Sequence, residues 1–207
     1  MTPSVEGLLF RIRDRGYPSF SVNLWRERRL YINIKGETDL FFDLDEIEGS
    51  FCLHSRNQIP SPLFGDMFSL RNYICQNREA LIESLKDTGT CTVKPDTELL
   101  DPFSTDSVLT GFLDRVRDLG YGEGKAALYG KICLYLTVDG KTFCYRPGRD
   151  PEFVRSTKQY GGLYHALFSL RSHVRNHWSE LAQAMEPGVP YYGGPDAGKR
   201  HRDTSMG

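Results

Sequence analysis

A run of residues near the start of this chain returns about a hundred positions later, and that recurrence limits the possible folds more than any compositional measure. Arg11-Ile12-Arg13-Asp14-Arg15-Gly16-Tyr17 is matched by Arg115-Val116-Arg117-Asp118-Leu119-Gly120-Tyr121 at an offset of 104 residues. The same offset carries Leu30-Tyr31-Ile32-Asn33-Ile34-Lys35-Gly36 onto Leu134-Tyr135-Leu136-Thr137-Val138-Asp139-Gly140. It then contracts to 100, where Phe68-Ser69-Leu70-Arg71 returns as Phe168-Ser169-Leu170-Arg171. Three blocks in one order predict a tandem duplication of a supersecondary unit.

Each block has its own periodicity. Val5, Leu8, Leu9 and Ile12 form a helical stripe, and Leu109, Phe112, Leu113 and Val116 form its counterpart. Thr2 and Asp106 stand ahead of these runs as expected N-caps, and Gly16 and Gly120 close them as left-handed C′ residues. The second block alternates, with Leu30, Ile32 and Ile34 or Leu134, Leu136 and Val138 on one face, as a half-buried strand does. Flanking strands are expected at Phe20 to Trp25 and Ala126 to Gly130, and at Leu40 to Leu44 and Thr142 to Tyr145. Gly36-Glu37 and Asp139-Gly140 serve as hairpin turns. The third block reads as one longer helix carrying Met67, Leu70, Ile74, Leu81 and Leu85, and then Leu167, Leu170, Val174, Leu181 and Met185.

The predicted fold class is therefore α+β: two α-β-β-β-α modules, each a small antiparallel sheet with helices on one face, packed as a pseudo-symmetric pair. The boundaries place one module over residues 1–86, a linker over 87–105, the second module over 106–186 and a flexible Gly/Pro-rich tail over 187–207. A strand-like run, Cys91 to Lys94, lies in the linker.

Charge narrows the function classes. Lys and Arg total 26 against 27 Asp and Glu, a net charge of −1, so the global drive toward nucleic acid is missing and any basic surface must be local. No apolar run is long enough for a membrane span, and a cytoplasmic setting is the expectation. The five cysteines fall at irregular spacings and read as reduced, buried thiols rather than a disulfide framework. Phosphate-loop, nucleophile-elbow and zinc-protease motifs are missing, so neither catalysis nor a cofactor is expected.

The candidate residues are weighed against structural alternatives. His173 and His177 share a helical face at metal-bridging spacing, but Tyr73 and Asn77 stand at the matched positions, and no metal site is assigned. Cys75 is matched by Arg175 and reads as a packing residue at the margin of a helix stripe. Arg11, Arg13, Asp14 and Arg71 recur as Arg115, Arg117, Asp118 and Arg171. They form either a doubled anion-binding surface or, preferably, ion pairs that hold helices together. Trp25, Tyr31, Tyr129 and Tyr135 stand on the second sheet face, where they either stack bases or seal an interface between modules. Trp178 has no aromatic counterpart, since Arg78 takes its place.

The order helix, Gly-Tyr turn, three strands, closing helix is similar to that of the double-stranded-RNA-binding domain. That family clamps phosphates with lysines at the start of its closing helix. Pro62-Leu63-Phe64-Gly65-Asp66-Met67 and Gly162-Leu163-Tyr164-His165-Ala166-Leu167 contain none, and the chain is not assigned to it. The expected function is a non-enzymatic macromolecule-binding protein, an inhibitor, adaptor or immunity-type protein. Its partner is another protein, bound through residues where the copies differ: Trp178, His173, His177 and Arg175. The alternative is duplex RNA or DNA, bound through Arg71, Arg171, Trp25, Tyr31 and Tyr135, with Lys199-Arg200-His201-Arg202 assisting.

Overall fold

The computed structural model describes residues 2–34, 38–45, 53–55, 61–103, 107–121, 124–154 and 161–193. The fold is mixed α+β, with two antiparallel five-stranded sheets. The chain divides into unit 1, Met1–Pro102 with Gly161–Ser169, and unit 2, Phe103–Tyr160 with Leu170–Gly207.

Unit 1 begins with helix α1 (Pro3–Asp14), followed by β1 (Phe20–Trp25), β2 (Arg29–Ile34), β3 (Thr38–Asp43) and β4 (Leu53–Ser55). Helices α2 (Ser61–Phe68), α3 (Arg71–Gln76) and α4 (Arg78–Thr88) come next, and then strand β5 (Cys91–Val93). The sheet order is β4-β3-β2-β1-β5. Alternation decides which face is buried: Phe20, Val22, Leu30, Ile32, Ile34, Leu40 and Phe42 join Leu8, Leu9 and Ile12 of α1 and Met67, Ile74 and Leu81 in one core.

Unit 2 runs through α5 (Val108–Asp118), β6 (Lys125–Tyr129), β7 (Cys133–Val138), β8 (Lys141–Tyr145) and β9 (Glu152–Phe153). After α6 (Gly161–Phe168), which belongs to unit 1, it resumes with α7 (Arg171–Asn176), α8 (Trp178–Ala184) and β10 (Pro190–Tyr192). Its sheet order is β10-β6-β7-β8-β9. Leu109, Phe112 and Val116 of α5 are buried, as are Ala126, Leu128, Leu134, Leu136 and Phe143 of the sheet.

Gly16 and Gly120 take left-handed φ of 97° and 82°, and their N–H groups donate to Arg13 O and Arg117 O at 2.9 and 3.0 Å. Asp139 and Gly140, at φ of 49° and 71°, make the expected hairpin turn between β7 and β8. The N-cap of α5 is Ser107, whose Oγ accepts from Thr110 N at 3.0 Å. Thr2 holds the N-cap position of α1, but its hydroxyl donates to Ser84 Oγ at 2.7 Å rather than capping the helix. Asp106, the Gly36-Glu37 turn, Cys52 and the basic tail segment 199–202 lie outside the described residues.

Three expectations are corrected. Among the described residues each sheet has five strands, where three were expected. The strand-like run expected in the linker does form β5, pairing Val22 with Cys91, whereas residues 190–192, expected to begin a flexible tail, supply β10, pairing Ala126 with Tyr191. Without them the outer edges of β1 and β6 would present unpaired N–H and C=O groups. The long third-block helix is instead broken into α2, α3 and α4 and, at the later occurrence of that block, α6, α7 and α8. Ser69 and Ser169 donate to Asp66 O and Ala166 O at 2.6 Å, and Asn77 Nδ2 donates to Tyr73 O at 2.9 Å. Such bonds give the backbone local partners other than the helix ladder.

Helix α6 packs on α2 inside unit 1, with the His165 ring edge-on to Phe64 and Phe68 at 5.6 and 6.0 Å between centroids. A Cβ on Gly65 would stand 2.8 Å from His165 Nδ1, so this approach needs a glycine.

Candidate functional site

Residues 171, 174, 175 and 178 are spaced three, one and three apart, which sets them on one side of the α7–α8 segment. Arg171, Val174, Arg175 and Trp178 line one side of a cleft in unit 2. Across it stands the β8–β9 turn, with Arg146, Pro147, Gly148, Arg149 and Pro151. Gly148 has a φ of +73°, and the turn is closed by Arg149 N donating to Arg146 O at 3.3 Å. Tyr145, only 2% exposed, completes the lining, and its burial raises the phenol well above its ordinary pKa, so it stays a neutral hydroxyl.

The cleft encloses about 130 Å³. Pockets for nucleotides or drug-sized ligands are roughly 300–1,000 Å³, whereas benzene fills a cavity of about 150 Å³. This volume therefore suits one side chain. Among the described residues, the lining carries four guanidinium groups and no carboxylate. Glu152 reaches its margin, with Oε1 accepting from Arg146 Nη1 at 2.9 Å, while Arg146 Nε approaches Cys133 Sγ at 3.4 Å.

The cleft brings together three residues singled out in the sequence, Trp178, Arg175 and Arg171. It does not include the histidines. His173 is only 5% exposed and stacks on Phe112, which removes it from the surface set. Its ring lies 4.6 Å from that of His177, whose Nδ1 is 3.1 Å from Glu180 Oε2. Among the described residues, no group of three or more His, Cys, Asp or Glu is placed to hold a metal.

The other proposed set is divided by the sheets. Trp25, 43% exposed, lies beneath the Arg26 and Arg29 guanidinium groups at 4.4 and 5.6 Å, and Tyr31 packs beside Phe41 at 5.2 Å. These residues occupy the face opposite the core. Arg71 lies over Phe68 at 4.5 Å on helix α3, whose Ile74 is packed into that core. In unit 2, Tyr135 lies beside Tyr129 at 6.2 Å and is not part of the cleft lined by Arg171.

Arg11 and Arg115 are structural. Both are buried, and their Nη1 atoms donate to Gly7 O and Gly111 O at 2.9 and 3.0 Å. Their guanidinium groups lie over Tyr73 and Phe103 at 3.8 and 4.5 Å. Arg13 bonds Thr97 O, and Arg117 Nη2 pairs with Asp114 at 2.7 Å.

Sequence reading missed Tyr145, Arg146 and Arg149. The available signal was Arg146-Pro147-Gly148-Arg149, a turn sequence with an arginine at each end. Cys75 is exposed, whereas Cys133 and Cys144 are buried thiols. No family model matches this chain, and no curated protein or solved structure shows a significant similarity to it. Among the described residues, no helix is long and apolar enough to cross a membrane.

Proposed function

We propose that this chain is a non-enzymatic binding protein that engages another protein through the cleft of unit 2, as an inhibitor, adaptor or immunity-type protein would. The size and lining of that cleft carry the reading. A volume of about 130 Å³ edged by Trp178 and four arginines suits one anchoring side chain better than a cofactor. Tryptophan and arginine are also the residue types that most often dominate protein interfaces. A cytoplasmic setting belongs to this reading and draws support from the irregularly spaced cysteines.

We also infer that the two halves arose by duplication and retain a pseudo-symmetric module. The recurring element order, the matched Gly16 and Gly120, and the common roles of Arg11 and Arg115 support this. On that basis Trp178 and Arg175 are departures from Arg78 and Cys75, as a surface serving one asymmetric partner requires.

Partner capture with the full chain, beside a Trp178→Ala bait of unchanged circular dichroism, tests the reading. Proteins held by the first bait and absent from the second are expected. Identical captured sets would remove the cleft from the interface.

The exposed Trp25 with Arg26 and Arg29 over its ring favours nucleic acid as a second reading. It requires retention on duplex RNA that weakens with salt and with Trp25→Ala; no retention at low salt rejects it.

A further inference from the structure

We propose that the partner's contacting segment is an acidic peptide, with one apolar or aromatic side chain seated against Val174 and Trp178 and flanking carboxylates held by Arg149 and Arg175. This rests on the protein-binding reading above. The first argument is complementarity. Arginines come from both sides of the cleft, Arg146 and Arg149 on the turn and Arg171 and Arg175 on α7, while Val174, Pro147, Pro151 and Trp178 supply apolar surface. An apolar side chain alone would place no carboxylate beside Arg149 or Arg175, and an isolated anion would leave the apolar lining unfilled.

A second argument comes from the matched edge of unit 1. There Asp43 pairs with Arg29 at 3.4 Å and Asp45 with Arg28, so that unit supplies carboxylates to its own arginines. In the sheet registers, Leu30 opposite Phe42 corresponds to Leu134 opposite Tyr145, which puts Arg146 where unit 1 has Asp43. A cation stands in the place of an acid, and Cys133, which Arg146 Nε approaches at 3.4 Å, stands in the place of Arg29. The Glu152–Arg146 pair at 2.9 Å already joins a carboxylate to a guanidinium at this margin.

The test is a selection of end-capped heptapeptides, random at every position, on the immobilised full-length chain at about 0.1 M salt, where exposed charges still attract. Enriched sequences are expected to place Asp or Glu beside an apolar or aromatic residue. The best peptide, fluorescein-labelled, should bind about tenfold more weakly to Arg175→Gln and to Arg149→Gln, and should weaken similarly when its acids become amides. No enrichment, enrichment of neutral or basic peptides, or binding unchanged in both variants overturns the proposal. Binding of a phosphoserine version but not its glutamate parent also overturns it. If Trp178→Ala still abolishes partner capture while the peptide selection fails, protein binding stands and acidic recognition falls; if both fail, both readings fall.

Discussion

The imidazole of His173 lies almost parallel to the ring of Phe112, with 7° between their planes and 6.3 Å between centroids. Phe112 is fully buried, so this histidine belongs to the packing of unit 2 rather than to its surface. His173→Leu should leave a folded protein with partner capture intact. His173→Asp, which buries a carboxylate, should cost about 2–4 kcal/mol in urea unfolding. Added Zn²⁺ should not raise the melting temperature, as it would if a folded-state site existed.

Gly120 closes α5 at a φ of 82°, a region where a Cβ is unfavourable. Gly120→Ala should lower unfolding free energy by about 1 kcal/mol. Gly16→Ala, at a φ of 97°, should lose a similar amount. A loss at one site alone would show that the two helix ends differ in energy despite their common geometry.

Burial on α6 lowers the pKa of His165 from its ordinary 6.5, against an opposing pull from Asp66. The neutral ring is therefore favoured by folding. As pH falls below about 6.5, the unfolded chain takes up this proton first, and the contribution is lost as pH falls through the lower folded value. Thermal midpoints should fall between pH 7.5 and 5.5, and less steeply in His165→Phe. Equal slopes in the two proteins would refute the assignment.

Burial, with Cys133 beside it, pushes the Cys144 thiol up to about 11. At pH 8 only roughly one part in a thousand would be thiolate. Iodoacetamide should modify the exposed Cys75 well before Cys144 in the native protein, and comparably fast in urea. Mass spectrometry of timed samples reads this directly.

Much of the fold was legible because burial imposes a period. Leu30, Ile32 and Ile34 alternate, and all three are buried. Val5, Leu8, Leu9 and Ile12 recur at helical spacing and enter the same core. The single long helix failed where side chains competed with its backbone: Ser69 lies inside one of the repeated blocks, yet its hydroxyl takes the carbonyl of Asp66 at 2.6 Å.

The cleft was half legible. Arg171, Arg175 and Trp178 share a helical side by spacing alone, whereas Arg146 and Arg149 lie more than twenty residues away and meet them only through folding.

By itself, then, the sequence determined what local physics can encode: the periodicities of α1, α5, β2 and β7, the Gly16 and Gly120 stops, and the Asp139-Gly140 turn. Tertiary structure decided what depends on groups distant along the chain. It placed β5 and β10 at the edges of β1 and β6, turned His173 inward onto Phe112, and set the β8–β9 turn opposite α7. Edge pairing and cavity lining leave little mark on short sequences, because each is satisfied by whatever partner the fold brings near.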